Sequence, residues 1–179
     1  DKAKDILKSE SRYVEPLVSL EYSKELELKQ EALSQLLTTA GINHVPEKII
    51  QSPKPRYYRT TTKRKVVPFR SGFYLGFQKD YDDKLAADYY SKIEPREHGD
   101  IYKFLLQKLS KSDCKILGKH INYLIIRGSY TEFALILNVK ELNAEIVRKI
   151  KYIVDDIKKT DLKVTSIYTL LDEDSSDYY

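Results

Sequence analysis

Residues 121–139 read INYLIIRGSYTEFALILNV. Two apolar runs, Ile121 to Ile126 and Glu132 to Val139, flank the stretch Gly128-Ser129-Tyr130-Thr131. β-Branched and aromatic residues on either side of a short glycine-bearing turn predict a β-hairpin. Downstream, Leu142, Ile146, Val147, Ile150, Ile153, Val154 and Ile157 repeat at intervals of three and four. That spacing predicts a helix over about residues 144–159. Val164 to Leu171 then reads as a last strand. Upstream, Ile101, Phe104, Leu105 and Leu109 form the stripe of another helix, with Asp100 as its cap.

The same signals recur towards the start of the chain. Tyr57 to Val67 is rich in Tyr, Thr and Val and predicts a strand, with a turn over Pro68 to Gly72 and a returning strand over Phe73 to Gln78. A helix is expected from Lys24 to Ala40, with Ser23 as cap and Glu25 in its first turn. Leu26, Leu33, Leu36, Leu37 and Ala40 share one face, and Gly41 supplies the left-handed stop. Between helix and strand, Pro46, Pro53 and Pro55 forbid regular helix. Residues 1–22 read as an arm or linker, 80–96 as polar and irregular, and 172–179 as an acidic tail. The order is helix, hairpin, helix, hairpin, helix, strand. It predicts an α+β domain over residues 23–171: an antiparallel sheet built from hairpins, with helices packed on one face.

Composition removes several kinds of function. The chain has 179 residues, 32% of them charged, and no apolar run approaches the length of a membrane span. Its start, Asp1 to Lys8, is charged and has no signal-peptide pattern. The lone Cys114 excludes an intrachain disulfide and a cysteine-based cluster, and a cytoplasmic setting is the default. His44, His98 and His120 lie far apart without ligand spacing, so no metal site is expected. The chain has no Met, so an initiator is lacking from it. Its six glycines include no G-x-G pair, which argues against a Gly-rich cofactor loop for a dinucleotide, ATP or S-adenosylmethionine.

Net charge is only +4, but it is unevenly spread. The stretch from Lys48 to Lys79 contains Lys48, Lys54, Arg56, Arg59, Lys63, Arg64, Lys65, Arg70 and Lys79 and no acid. It carries +9, and the rest of the chain sums to −5. Such a field attracts polyanions. Tyr57, Tyr58, Phe69, Phe73, Tyr74 and Phe77 are interleaved with these cations, a pattern in which cations hold a phosphate backbone while rings stack on unpaired bases. Strand alternation sets Arg59, Thr61, Lys63 and Lys65 on one face, and Tyr58, Thr60, Thr62, Arg64 and Val66 on the other. A plainer reading is an edge strand whose cations prevent edge-to-edge pairing. Arg127 and Tyr130, in the hairpin turn, are further candidates for phosphate contact and stacking. Cys114 lies between Lys111 and Lys115 but has no paired base, so a buried thiol is favoured over a nucleophile. Glu94, Arg96, Glu97 and His98 cluster in one charged loop that either flanks a site or is only solvated.

Three stretches, in order, resemble the RNA uracil-5-methyltransferase family that acts on ribosomal and transfer RNA. LEYSKELELKQ (residues 20–30) resembles the family's opening helix. IIQSPKPRYYR (residues 49–59) resembles its "I-x-S-P-x-x-x-x-Y-R-N" segment, and SGFYLGF (residues 71–77) its "G-F-Y" strand. The last residues, Leu170 to Tyr179, are similar to the segment leading into the family's catalytic domain. Thr60 and Thr61 depart from the family's usual Asn and basic residue. Residues 12–16 lack the cysteines of members that carry an iron–sulfur cluster, so none is expected. The resemblance implies a central RNA-engaging domain whose S-adenosylmethionine-binding, cysteine-bearing catalytic domain lies elsewhere, so this stretch has no catalytic residue and no cofactor of its own. The expected RNA contacts are Arg59, Lys63, Arg64, Lys65 and Arg127 on phosphate, with Tyr58, Tyr74 and Phe73 for stacking or packing. The alternatives are a stand-alone RNA-binding module and a protein-interaction domain with a basic patch.

Overall fold

The structure is a computed structural model that describes residues 17–70, 72–76 and 90–172. The expectations for residues 1–16, for most of 80–96 and for 173–179 lie outside these. The chain divides into two compact units, 1–58 and 59–179, where a single domain over 23–171 was expected. The proline-bearing connector explains the difference, because it folds back onto the first helix. Gln30 holds it through its side chain: the amide nitrogen donates to the Glu47 carbonyl, and the amide oxygen accepts from the Ile49 N–H. The Ser52 N–H donates to the Tyr22 hydroxyl.

That helix, α1, spans Tyr22–Thr39. Glu21 precedes it, and no side chain caps it, so Ser23 lies inside the first turn. Gly41 ends it in the left-handed region at φ 70°, as expected. The expected apolar stripe is not a core face: Leu36 is 64% exposed and Leu33 also faces solvent. The residue buried on α1 is Glu25, which is bonded by Lys29 at 2.5 Å and by Arg56 at 2.8 Å.

The second unit is a five-stranded sheet with helices on one face. Its strands are β1 (Thr61–Phe69), β2 (Gly72–Gly76), β3 (Ile121–Gly128), β4 (Phe133–Val139) and β5 (Val164–Leu171). The helices are α2 (Arg96–Leu109), α3 (Lys115–His120) and α4 (Ala144–Ile157). Strand order is β2-β1-β3-β4-β5. β1 pairs antiparallel with β2 and β3, and β3 with β4, which bears out the two hairpins and the α+β class. β5 runs parallel to β4, so the sheet is mixed. The helical crossover through α4 is the cause, because it returns the chain to the end of the sheet where β4 began.

One face of the sheet is the core. Val66, Phe73, Leu75, Leu124, Ile126, Phe133, Leu135 and Leu137 meet Ile101, Tyr102, Leu105 and Leu109 of α2, Leu117 of α3, and Ile146, Ile150, Ile153 and Ile157 of α4. The four isoleucines fall on one side of α4, and burial of each contributes about 1.5–3 kcal/mol. Asn143 caps α4 by accepting from the Ile146 N–H, and Leu142 lies outside the stripe it was assigned to. α2 starts a turn earlier than expected, after Pro95, so Asp100 is internal and accepts from the Tyr90 hydroxyl. Gly118 of α3 packs against the Phe73 ring so closely that a Cβ there would sit 2.5 Å from it.

Candidate nucleic-acid interface

β1 carries most of the predicted contacts, and its register decides which way each points. Val66, Arg64 and Thr62 turn into the core, while Thr61, Lys63, Lys65, Val67 and Phe69 turn to the opposite face. On β3 the matching residues are Arg127 opposite Thr61, Ile125 opposite Lys63 and Tyr123 opposite Lys65. Tyr74 of β2 lies opposite Val67. Lys63, Lys65 and Arg127 therefore lie on the sheet face opposite α2, α3 and α4, with Lys63 between the other two: Lys65 is about 7 Å along the strand from it and Arg127 about 7 Å diagonally across. Lys65 and Arg127 are exposed. Lys63 is half-buried, with its ammonium 3.9 Å from the centroid of the Tyr123 ring. Tyr74 is half-buried and meets Phe69 edge-to-face at 5.8 Å. Phe69 itself is 55% exposed. Tyr123 and Ile125, on the same face, are buried, so this face is open at its rim rather than at its middle.

Arg59 and Tyr58 precede β1 and are both exposed. The Arg59 N–H donates to the Ile93 carbonyl at 2.8 Å, which anchors the entry to the strand. Tyr130 is exposed in the β3–β4 turn. Phe73 belongs to the core cluster and is not a stacking surface.

Arg64 is a correction. It was expected to reach phosphate, but its side chain is 2% exposed and donates to both carboxylate oxygens of Glu94 at 2.7 Å. Its guanidinium also lies 5.3 Å from the Tyr102 ring centroid. The cause is strand alternation: Arg64 sits between Lys63 and Lys65 and must face the other way. Arg56 is likewise engaged with Glu25. The acid-free stretch thus receives two carboxylates from distant parts of the chain, and its effective field is weaker than its sequence charge.

Around Arg64 lies a buried polar group. Thr62 Oγ1 is 2.7 Å from the Tyr102 hydroxyl and 3.1 Å from His98 Nδ1. Burial pushes the Tyr102 phenol well above its usual range, so it stays protonated and can donate to Thr62. Thr62 can in turn donate to Nδ1, which leaves the imidazole proton on Nε2. Nε2 is buried without a hydrogen-bond partner, and the ring stands edge-to-face on Phe133 at 4.9 Å. Burial first, and the Arg64 charge second, lower the His98 pKa to about 4. Glu94 and His98, suspected from the sequence, are thus brought together, but inside the core. Arg96 is exposed and Glu97 half-buried, with Lys163 4.0 Å from Glu97.

Cys114 is fully buried, and burial raises its thiol pKa, the opposite of what a nucleophile needs. Among the described residues, no group of three or more His, Cys, Asp or Glu is placed to hold a metal ion. No helix among them is long and apolar enough to cross a membrane. No protein-family model matches the chain, and no curated protein is significantly similar to it.

Proposed function

We propose that this chain is an RNA-binding domain that holds unpaired RNA at the rim of the sheet face opposite α2, α3 and α4. The carrying observation is the β1–β3 register, which gathers Lys63, Lys65 and Arg127 on one face. Arg59 at the strand entry adds charge, and Tyr74 with Phe69 offers a ring edge beside it. Phosphates are the targets of the cations, and stacking on exposed rings favours single-stranded segments. Tyr58 is a further stacking candidate. Arg64 and Phe73 have no part in binding, because both are buried. The wider expectation is that this binding serves an S-adenosylmethionine-dependent uracil methyltransferase in the cytoplasm, acting on ribosomal or transfer RNA. It rests on the sequence resemblance alone.

The test is titration with single-stranded RNA at several salt concentrations. Each phosphate contact on a single strand contributes about 0.7 to the slope of log affinity against log salt. Replacing Lys63, Lys65 and Arg127 together by Ala is expected to lower that slope by about 2 and to weaken binding at least tenfold at low salt. Lys158→Ala, at the exposed end of α4, serves as a control and leaves both unchanged. An unchanged slope in the triple variant removes the sheet face from the binding site.

A further inference from the structure

β5 is an edge of the sheet. Its eight residues, Val164–Leu171, include no charge, proline or glycine, the usual means by which an edge resists pairing. Its second half is exposed on both faces, with Tyr168 at 58% and Leu171 at 46%. Among the described residues, no strand pairs with its outer side.

The backbone shows which groups are on offer. Along an extended strand, the N–H and C=O of one residue point the same way, and the direction alternates. The Asp172 N–H donates to the Val139 carbonyl, and Val139 is aligned with Leu171. Residues 168, 170 and 172 therefore turn towards β4. Ile167, Thr169 and Leu171 direct their amides and carbonyls outward, whereas the register shift beside Phe133 breaks the alternation between Val164 and Ser166.

We propose that β5 is the docking edge for a second copy of this chain, with the two β5 strands antiparallel about a two-fold axis at Tyr168. An axis perpendicular to the sheet makes one continuous sheet and keeps both sets of helices on the same side. In this register Ile167 of one copy faces Thr169 of the other. Ile167 and Thr169 both point outward, so on each copy the N–H and C=O of these two residues gain partners. Tyr168 meets its own counterpart at a position without backbone bonds, with Cα atoms about 4.5 Å apart, as an aromatic cross-strand pair. Charge favours the same direction. The strand is entered from Lys163 and left through Asp172. Antiparallel pairing brings Lys163 of one copy beside Asp172 of the other, whereas parallel pairing would set like charges together.

A seam of this length lies at the small end of protein interfaces. Sedimentation of the full chain should therefore extend to several hundred micromolar. The expected result is a reversible shift from monomer to dimer mass with rising concentration. Tyr168→Lys, which sets two ammonium groups across the axis, should stay monomeric over that range with an unchanged circular dichroism spectrum. Mild oxidation then reads the register, since Cys114 is buried and leaves a clean background. Tyr168→Cys is expected to form a disulfide-linked dimer, and Thr169→Cys, which faces Ile167, is not. A monomer at all concentrations overturns the proposal. So does a dimer indifferent to Tyr168→Lys, or equal cross-linking by both cysteine variants. RNA binding enters none of these readouts.

Discussion

Arg64 is the residue whose role changed most. In sequence it is one of three consecutive cations, and only its position in the strand separates it from Lys63 and Lys65. Its partner Glu94 lies thirty residues away, where no local pattern reveals it. Removing one member of a buried ion pair leaves the other charged and unsolvated. Arg64→Ala is therefore expected to cost about 3–5 kcal/mol in urea unfolding. Arg64→Met combined with Glu94→Leu should cost much less, because neither charge remains. His98 gives a pH dependence with a definite sign. Its folded pKa, about 4, lies below the ordinary 6.5, so the unfolded chain takes up the proton first. The stability this contributes is fully present above pH 6.5 and is lost as pH falls towards 4, by at most about 3 kcal/mol. His98→Gln should flatten the urea midpoint between those pH values relative to the native chain. The sequence singled out His98 as a possible site residue, but the burial that sets its pKa is a property of the packed α2–β1 contact.

Elements were legible where hydrophobic periodicity was long. Both hairpins, α4 and β5 follow directly from it. α3 leaves no signal in the sequence, because KILGKH is too short to show a period. The stripe on α1 is present as a pattern but is not a buried face, since periodicity does not say whether a partner exists. The parallel pairing of β5 depends on the path through α4, which no residue of β5 encodes. Two substitutions test the local geometry. Gly118→Ala places a methyl 2.5 Å from the Phe73 ring and should destabilise by about 1–3 kcal/mol in thermal or urea unfolding. Arg70 holds a left-handed backbone at φ 51° in the β1–β2 hairpin. Arg70→Gly should therefore stabilise by about 1 kcal/mol, the penalty an L side chain carries there.

For the whole molecule, the division at residues 58 and 59 has a direct test. The main core cluster lies entirely within residues 66–157, so residues 59–179 expressed alone should unfold cooperatively by circular dichroism. Residues 1–58 alone should show only partial helix without a sharp transition, because an isolated helix of this length is marginal in water. Non-cooperative melting of 59–179 would contradict the division. The division is not legible in the sequence, because a proline-rich connector marks a break in regular structure without saying which side it folds onto. The pairing of β1 with β3 also has a consequence in time. The two hairpins close over a few residues, but the β1–β3 seam joins Thr61 to Arg127 across everything between them. Contacts so distant in sequence are slow to form, and the entropy of that closure falls on a single event. Refolding should therefore wait on the centre of the sheet. Substitutions at Leu124 or Ile126 should slow folding, while substitutions on β5 should mainly speed unfolding.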